Sequence, residues 1–287
     1  MASYRIDLEY EGTRYRGWQE QANARSVAGE IRRAVVAAGG EIVELGGAGR
    51  TDAGVHAAHQ VAHLRLRASV DPRRFREGIN DALPHDIHLL AMERAPDRFH
   101  ARHDAVARSY VYQIARRRTA LAKRTVWWVK RRLDTAAIAD AAALLPGFHD
   151  FALLCERPKD QTSTRVAVER AEVVEEGALI LVRLVASHFL WKMVRRTVGA
   201  LVKVGANELP IPEFGALISG VPSKRGLPSE WTAPASGLFL ERVLYAGDAP
   251  LLPLSALTPV SAEPVPRPAA TRNRVTASAD RRPGRRR

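Results

Sequence analysis

The stretch Gly49-Arg50-Thr51-Asp52-Ala53-Gly54-Val55-His56 sets one carboxylate between a guanidinium and two glycines, where an alternating segment begins. A carboxylate held ionised by the neighbouring Arg50 suits a reactive centre, and Gly49 and Gly54 give the backbone room for a ligand beside Asp52. The same residues also fit an ordinary Asp-Ala-Gly turn, since aspartate is a common turn and capping residue. Two further groups bear on that choice. Arg98-Phe99-His100-Ala101-Arg102-His103 combines cations with ring surfaces, and Arg108-Ser109-Tyr110-Val111-Tyr112 puts two tyrosines on one face of a strand. Such a tyrosine either stacks on a base or packs as a core aromatic with its hydroxyl at the edge. Lys192, Arg195 and Arg196 interrupt an otherwise apolar helical pattern. Arg195 needs an anion if it is buried, and Asp52 is a candidate; on the surface it needs none.

Several familiar sites are set aside. Gly47-Ala48-Gly49-Arg50-Thr51-Asp52 starts like a dinucleotide fingerprint, but aspartate stands where the third glycine belongs, and no Lys-Ser/Thr pair makes a phosphate-binding loop. Neither nucleotide cofactor is expected. His56, His59 and His63 would share a helix face, yet the alternation around them reads as strand and no carboxylate completes a zinc set. No metal site is expected. The single cysteine, Cys155, excludes an internal disulfide and sits in the apolar run 151–155, where it reads as a small core residue.

The elements that must position these residues follow from periodicity. Residues 4–10 alternate strictly, as a strand with one buried face does. Ser26 caps a helix with Val27, Ile31, Ala34, Val35 and Ala38 at helical spacing, which Gly39-Gly40 stops. Strands are expected at 41–45 and 60–66, a helix from Asp71-Pro72 and a strand from Ile87, so the first hundred residues read as β-α-β-loop-β-α-β. A related order returns in the second half: strands at 108–115, 125–130, 166–174 and 179–186, helices at 134–145, 189–204 and from Pro212, and a closing strand at 236–245. This mixed order predicts an α+β fold in two related halves, 1–105 and 106–247, with largely antiparallel strands.

The chain has 287 residues and a net charge of +13. Its apolar content supports a substantial core, no apolar run reaches the roughly 20 residues that cross a bilayer, and no signal-peptide pattern opens it. A soluble, cytoplasmic protein is the expectation. From Asp248 onward eight arginines face three acidic residues, leaving a net +8 in the rest of the chain. A basic body as well as a basic end points to a nucleic acid partner. Residues 248–287 hold seven of the 17 prolines, a composition that predicts a disordered tail.

Taken together, these segments resemble the TruA family of tRNA pseudouridine synthases over about residues 4–246. The resemblance rests on Tyr10-Glu11-Gly12-Thr13-Arg14-Tyr15-Arg16-Gly17-Trp18-Gln19, Gly49 to His56 with Gln60-Val61, Asn80-Asp81-Ala82-Leu83-Pro84, Phe99-His100-Ala101-Arg102, Arg108 to Tyr112, Thr164-Arg165, Phe189 to Gly199 and Gly237-Leu238. It implies a continuous sheet with helices on one side under a basic cleft, a homodimer, no cofactor, and a tRNA substrate modified at uridines 38, 39 and 40 of the anticodon stem-loop. Asp52 matches the catalytic nucleophile of that family. Arg195 matches the arginine that pairs with it, lowering its pKa and keeping it charged. Arg50 matches the arginine that helps occupy the space left by a flipped base, and Tyr110 the tyrosine that stacks on the uracil. Phe99, His100, Ala101, Arg102, His103 and Arg165 would help hold the RNA. Leu190-Trp191-Lys192 and the arginine-rich end depart from the family pattern. A catalytically silent RNA-binding protein and a glycosidic hydrolase remain as competing functions.

Overall fold

The computed structural model describes residues 1–156 and 163–262. In chain order the elements are β1 (Ala2–Tyr10), α1 (Val27–Ala37), β2 (Ile42–Gly47), β3 (His56–Leu66), α2 (Pro72–Ala82), β4 (Ile87–Arg94), β5 (Ala105–Ala115), β6 (Trp127–Trp128), α3 (Thr135–Ala142), β7 (Gly147–Asp150), β8 (Arg165–Glu176), β9 (Leu179–Ala186), α4 (Met193–Gly205), α5 (Ile211–Ile218) and β10 (Leu238–Tyr245). They build one mixed α/β architecture. Its sheet has the strand order β4-β1-β3-β10-β5-β9-β8-β7, with β2 added to β3 and β6 to β5. Every pairing is antiparallel except β10 with β3 and β5 with β6.

Local chemistry explains the boundaries. The Ser26 hydroxyl accepts from the Gly29 N–H at 3.2 Å, Asp71 from Arg74 at 2.8 Å and Asp134 from Ala137 at 3.1 Å, so three helices start on side-chain caps. On β1, Tyr4, Ile6 and Leu8 are fully buried while Arg5 and Asp7 between them stay partly exposed. The buried faces of all five helices join the same sheet face in one core, with α1 packed on α2 and α3 on α4. No helix among the described residues is long and apolar enough to cross a membrane.

The end of the chain differs from its compositional expectation. Residues 249–262 lie across the opposite sheet face, where Leu254 and Val260 cover Val111, Ala115, Leu179 and Leu181. The buried Gln113 carboxamide oxygen accepts from the Leu257 and Thr258 N–H groups at 2.8 and 3.2 Å, and Ala178 N–H donates to Val260 at 2.9 Å. Prolines at 250, 253 and 259 suit an extended strap that needs few backbone partners. Residues 263–287, with the arginine-rich end, lie outside the described residues. Truncation after Gly247, compared with truncation after Ala262, is expected to cost about 3 kcal/mol from the lost burial of Leu254 and Val260; thermal unfolding of the two proteins checks it.

Three elements depart from their sequence expectations. The strand expected at 125–130 narrows to two residues, paired with Ile114 and Ala115. β7 escaped notice because Gly-Phe-His-Asp lacks alternation and lies at the sheet edge. The helix expected from 189 starts only at Met193, because Lys192 takes a left-handed φ of 59°. Residues 187–192 therefore form a connector that can present side chains in directions a helix would forbid.

Candidate active site

The Asp52 loop occupies a gap in strand pairing. On one edge of β3, residues 62–66 pair with β2 while His56 and Ala57 pair with β10, and the chain between β2 and β3 arches out where one partner gives way to the other. The segment after β1 holds that arch. Trp18 N–H donates to Thr51 at 3.1 Å, Gly54 N–H to Tyr15 at 3.1 Å, and the Tyr10 and Thr51 hydroxyls bond at 2.8 Å. Gln60 Nε2 donates to the Gly49 carbonyl at 2.8 Å.

Glycine is required here at Gly54, with φ 78°, and at Gly17, with φ 95°. A Cβ on Gly17 would stand 2.4 Å from the Thr51 carbonyl oxygen, so only glycine lets the two loops meet. Gly49 has another role: a Cβ there would face only the Tyr110 hydroxyl, at 3.8 Å, so its lack of a side chain leaves open space. Gly17→Ala is expected to destabilise by at least about 1–2 kcal/mol from backbone strain, and to slow turnover by about 10²-fold through displacement of Asp52. Thermal melts and single-turnover rates test both effects.

Asp52, between β2 and β3, meets Arg195 on α4, with Arg195 Nη1 3.8 Å from Asp52 Oδ2. Arg195 Nε donates to the Ala233 carbonyl at 2.7 Å, which fixes the guanidinium. The net effect on the carboxyl differs from the expectation of a lowered pKa. Burial of Asp52 pushes its pKa above the ordinary value and outweighs the downward pull of Arg195, Lys192 and the Trp191 side chain, while Glu156 adds to the rise. Glu156 is also the ion-pair partner of Lys192 and Arg196, so part of the local positive charge is already compensated.

Tyr110 is buried and meets Phe189 edge to face, with ring centroids 5.0 Å apart. Burial first, then the proximity of Tyr10 and Asp52, raises its pKa. The phenol therefore stays protonated at neutral pH and offers a ring and an O–H to whatever enters. Tyr112, on the same strand face, is a core aromatic whose hydroxyl donates to Pro234 at 2.7 Å.

Asp52, Arg195, Arg50, Tyr110, His100, Arg102 and His103 all line one open cleft of about 1170 Å³, bounded by α1 on one side and the start of α4 on the other. Arg50 is exposed at its mouth. Three other sequence candidates lie elsewhere. Phe99 packs against Tyr245 at 5.8 Å, and buried Ala101 contributes its backbone, accepting from the Tyr245 hydroxyl at 2.7 Å. Arg165 is exposed at the start of β8, with its guanidinium over Phe148, and does not line the cleft. Sequence reasoning missed Arg108, Phe189 and Trp191 as cleft residues. The last two were assigned to a helix; the adjoining Trp191-Lys192 pair, whose cation sits 5.0 Å from the indole centroid, was one signal for them. Apart from Arg108, whose terminal nitrogens donate to backbone carbonyls, six cationic side chains against three carboxylates line the cleft, a balance that suits a polyanion.

One histidine cluster borders the cleft. Ligand atoms of Glu44, His63 and His100 lie within 4.8 Å of one another, a grouping that the sequence search for a carboxylate beside His63 did not find. Its hydrogen bonds define a different role from metal binding. His63 Nδ1 accepts from Ala101 N–H, and His100 Nδ1 from Arg102 and His103 N–H, so each Nε2 carries the proton. His63 Nε2 donates that proton to Glu44 at 3.2 Å.

A family model described as tRNA pseudouridine synthase matches residues 8–104 and 141–246. The chain is 40% identical over 248 residues to the tRNA pseudouridine synthase A of Rhodopseudomonas palustris (strain BisB18), a match covering 85% of this chain and 100% of the relative. The namesake from Nitrobacter hamburgensis gives the same identity and coverage. That from Sinorhizobium medicae is 38% identical over 250 residues, again covering 85% of this chain and all of the relative.

Proposed function

The chain belongs to the tRNA pseudouridine synthase family and is an isomerase; on that premise we propose that Asp52 is its nucleophile and that its uridines lie in the tRNA anticodon stem-loop, at positions 38, 39 and 40. The observation that carries this reading is the Asp52–Arg195 pair at 3.8 Å inside a basic cleft that Tyr110 also lines. Conversion requires three changes in the nucleoside: the N1–C1′ bond breaks, the uracil turns, and C5 bonds to C1′. The C5 proton leaves and N1 gains one, so substrate and product are isomers and no redox partner is needed. An ionised carboxylate suits both attack at C1′ and addition to the base.

The target nucleotide must leave its stack to reach a carboxylate at this depth. Arg50, exposed at the cleft mouth, supports the role of filling the vacated space. The uracil lies against the Tyr110 ring, a reading supported by Tyr110 lining the cleft, while His100, Arg102 and His103 in the same lining offer donors to the phosphate backbone. The protein acts in the cytoplasm as a homodimer, a state that sedimentation measures.

Incubation with unmodified tRNA transcript in the presence of a chelator, followed by pseudouridine mapping, tests the proposal. New pseudouridine confined to the anticodon arm is expected. Modification in another arm would refute the assigned target, and free uracil without pseudouridine would make the protein a glycosidic hydrolase.

A further inference from the structure

Arg108 on β5 is 8% exposed, and among the described residues no carboxylate pairs with it. A buried cation without an anion is costly unless dipoles replace the water it loses. Here four carbonyls do so. Nη1 donates to Ala105 at 3.2 Å and Ser187 at 2.8 Å, and Nη2 donates to Ala48 at 3.0 Å and Arg102 at 2.7 Å. These take all four hydrogens that a guanidinium carries on its terminal nitrogens.

The carbonyls belong to the segments that build the cleft. Ala48 opens the arch that ends in Asp52, Arg102 sits in the His100–His103 turn, and Ser187 starts the connector leading through Phe189 and Trp191 to Arg195. Asp52 and Arg195 come from different halves of the chain, and their 3.8 Å separation depends on how those segments are held.

We propose that Arg108 is a positioning residue for isomerisation: one guanidinium, saturated by four carbonyls, sets the Asp52 arch and the Arg195 connector in register without itself touching the RNA. The proposal rests on the functional reading above and extends it to a residue outside the reacting set. Its planar fork is the property that matters. Lysine keeps the charge but directs three N–H groups from a single nitrogen and cannot span the same four acceptors.

Arg108→Lys and Arg108→Gln test this against wild type. Both are expected to lower the saturating single-turnover rate at least about tenfold, as misplaced reacting groups do. Both should leave tRNA affinity within about threefold at constant salt, since no phosphate contact is lost. Hydrogen exchange in 48–55 should quicken in both variants. A wild-type rate in Arg108→Lys would overturn the proposal by showing that charge suffices. Weaker tRNA binding at an unchanged saturating rate would overturn it in favour of a phosphate contact, and failure of both variants to fold would make Arg108 a residue of the core alone. Absence of pseudouridine with wild type would instead defeat the functional reading, and the exchange of 48–55 would then decide the positioning claim by itself.

Discussion

Asp52→Asn is expected to abolish pseudouridine formation, with a loss of at least about 10⁴-fold, the scale seen when an enzyme loses its nucleophile. The amide keeps the shape of the carboxylate and removes its charge, so the arch held by Tyr15, Trp18 and Gln60 should persist. Affinity for tRNA should persist as well, because it comes from the cationic lining of the cleft. A separate stability signature is expected. Burial raises the Asp52 pKa in the folded state, so folding disfavours its ionised form, and the wild type loses stability relative to the variant as pH rises from the unfolded through the folded pKa. The variant should therefore melt no lower than wild type at neutral pH, and its advantage should vanish in acid, where both side chains are neutral. Single-turnover assays, filter binding and melting curves across pH measure the three effects.

Arg195→Gln is expected to lower the rate by on the order of 10²-fold, the scale of removing one electrostatic stabiliser from an active site. It should also move the acidic limb of the rate profile to higher pH. The direction follows from the opposing influences on Asp52: burial and Glu156 raise its pKa, and Arg195 is the largest influence lowering it. Without the guanidinium the carboxyl gives up its proton only at higher pH, and less of the protein holds the ionised Asp52 carboxylate at any pH on that limb. In wild type the limb is expected above the ordinary aspartate value, the reverse of what a simple ion pair would produce. Single-turnover rates from acid to neutral pH for both proteins check this. Coincident limbs would separate Arg195 from the ionisation of Asp52.

Much of this site was legible in residue types. Asp52 stood out because a guanidinium and two glycines surround it, and Arg195 because a cation in an apolar helical pattern needs an anion if it is buried. The strands and capped helices that position them followed from alternation and from Ser26, Asp71 and Asp134. What sequence could not give was the balance of forces at Asp52, since depth of burial is a property of the assembled cleft. Nor could it give Trp191 or Phe189, because Lys192 adopts a left-handed conformation that residue type does not announce and that releases both from the expected helix. Arg108 escaped for a related reason. Its four acceptors are backbone carbonyls distributed from Ala48 to Ser187, and backbone partners leave no mark in a residue pattern. The strap at 249–262 was hidden by proline content, which records poor capacity for regular structure and not whether an extended segment can find an apolar face.

The central claim is that Asp52 drives isomerisation, and the most direct measurement uses tRNA labelled with tritium at uridine C5. Joining C5 to C1′ expels that hydrogen, so wild type should release one tritium for each pseudouridine formed, with no free uracil, and Asp52→Asn should release none. Tritium release that persists in Asp52→Asn, or free uracil in place of pseudouridine, would contradict the account.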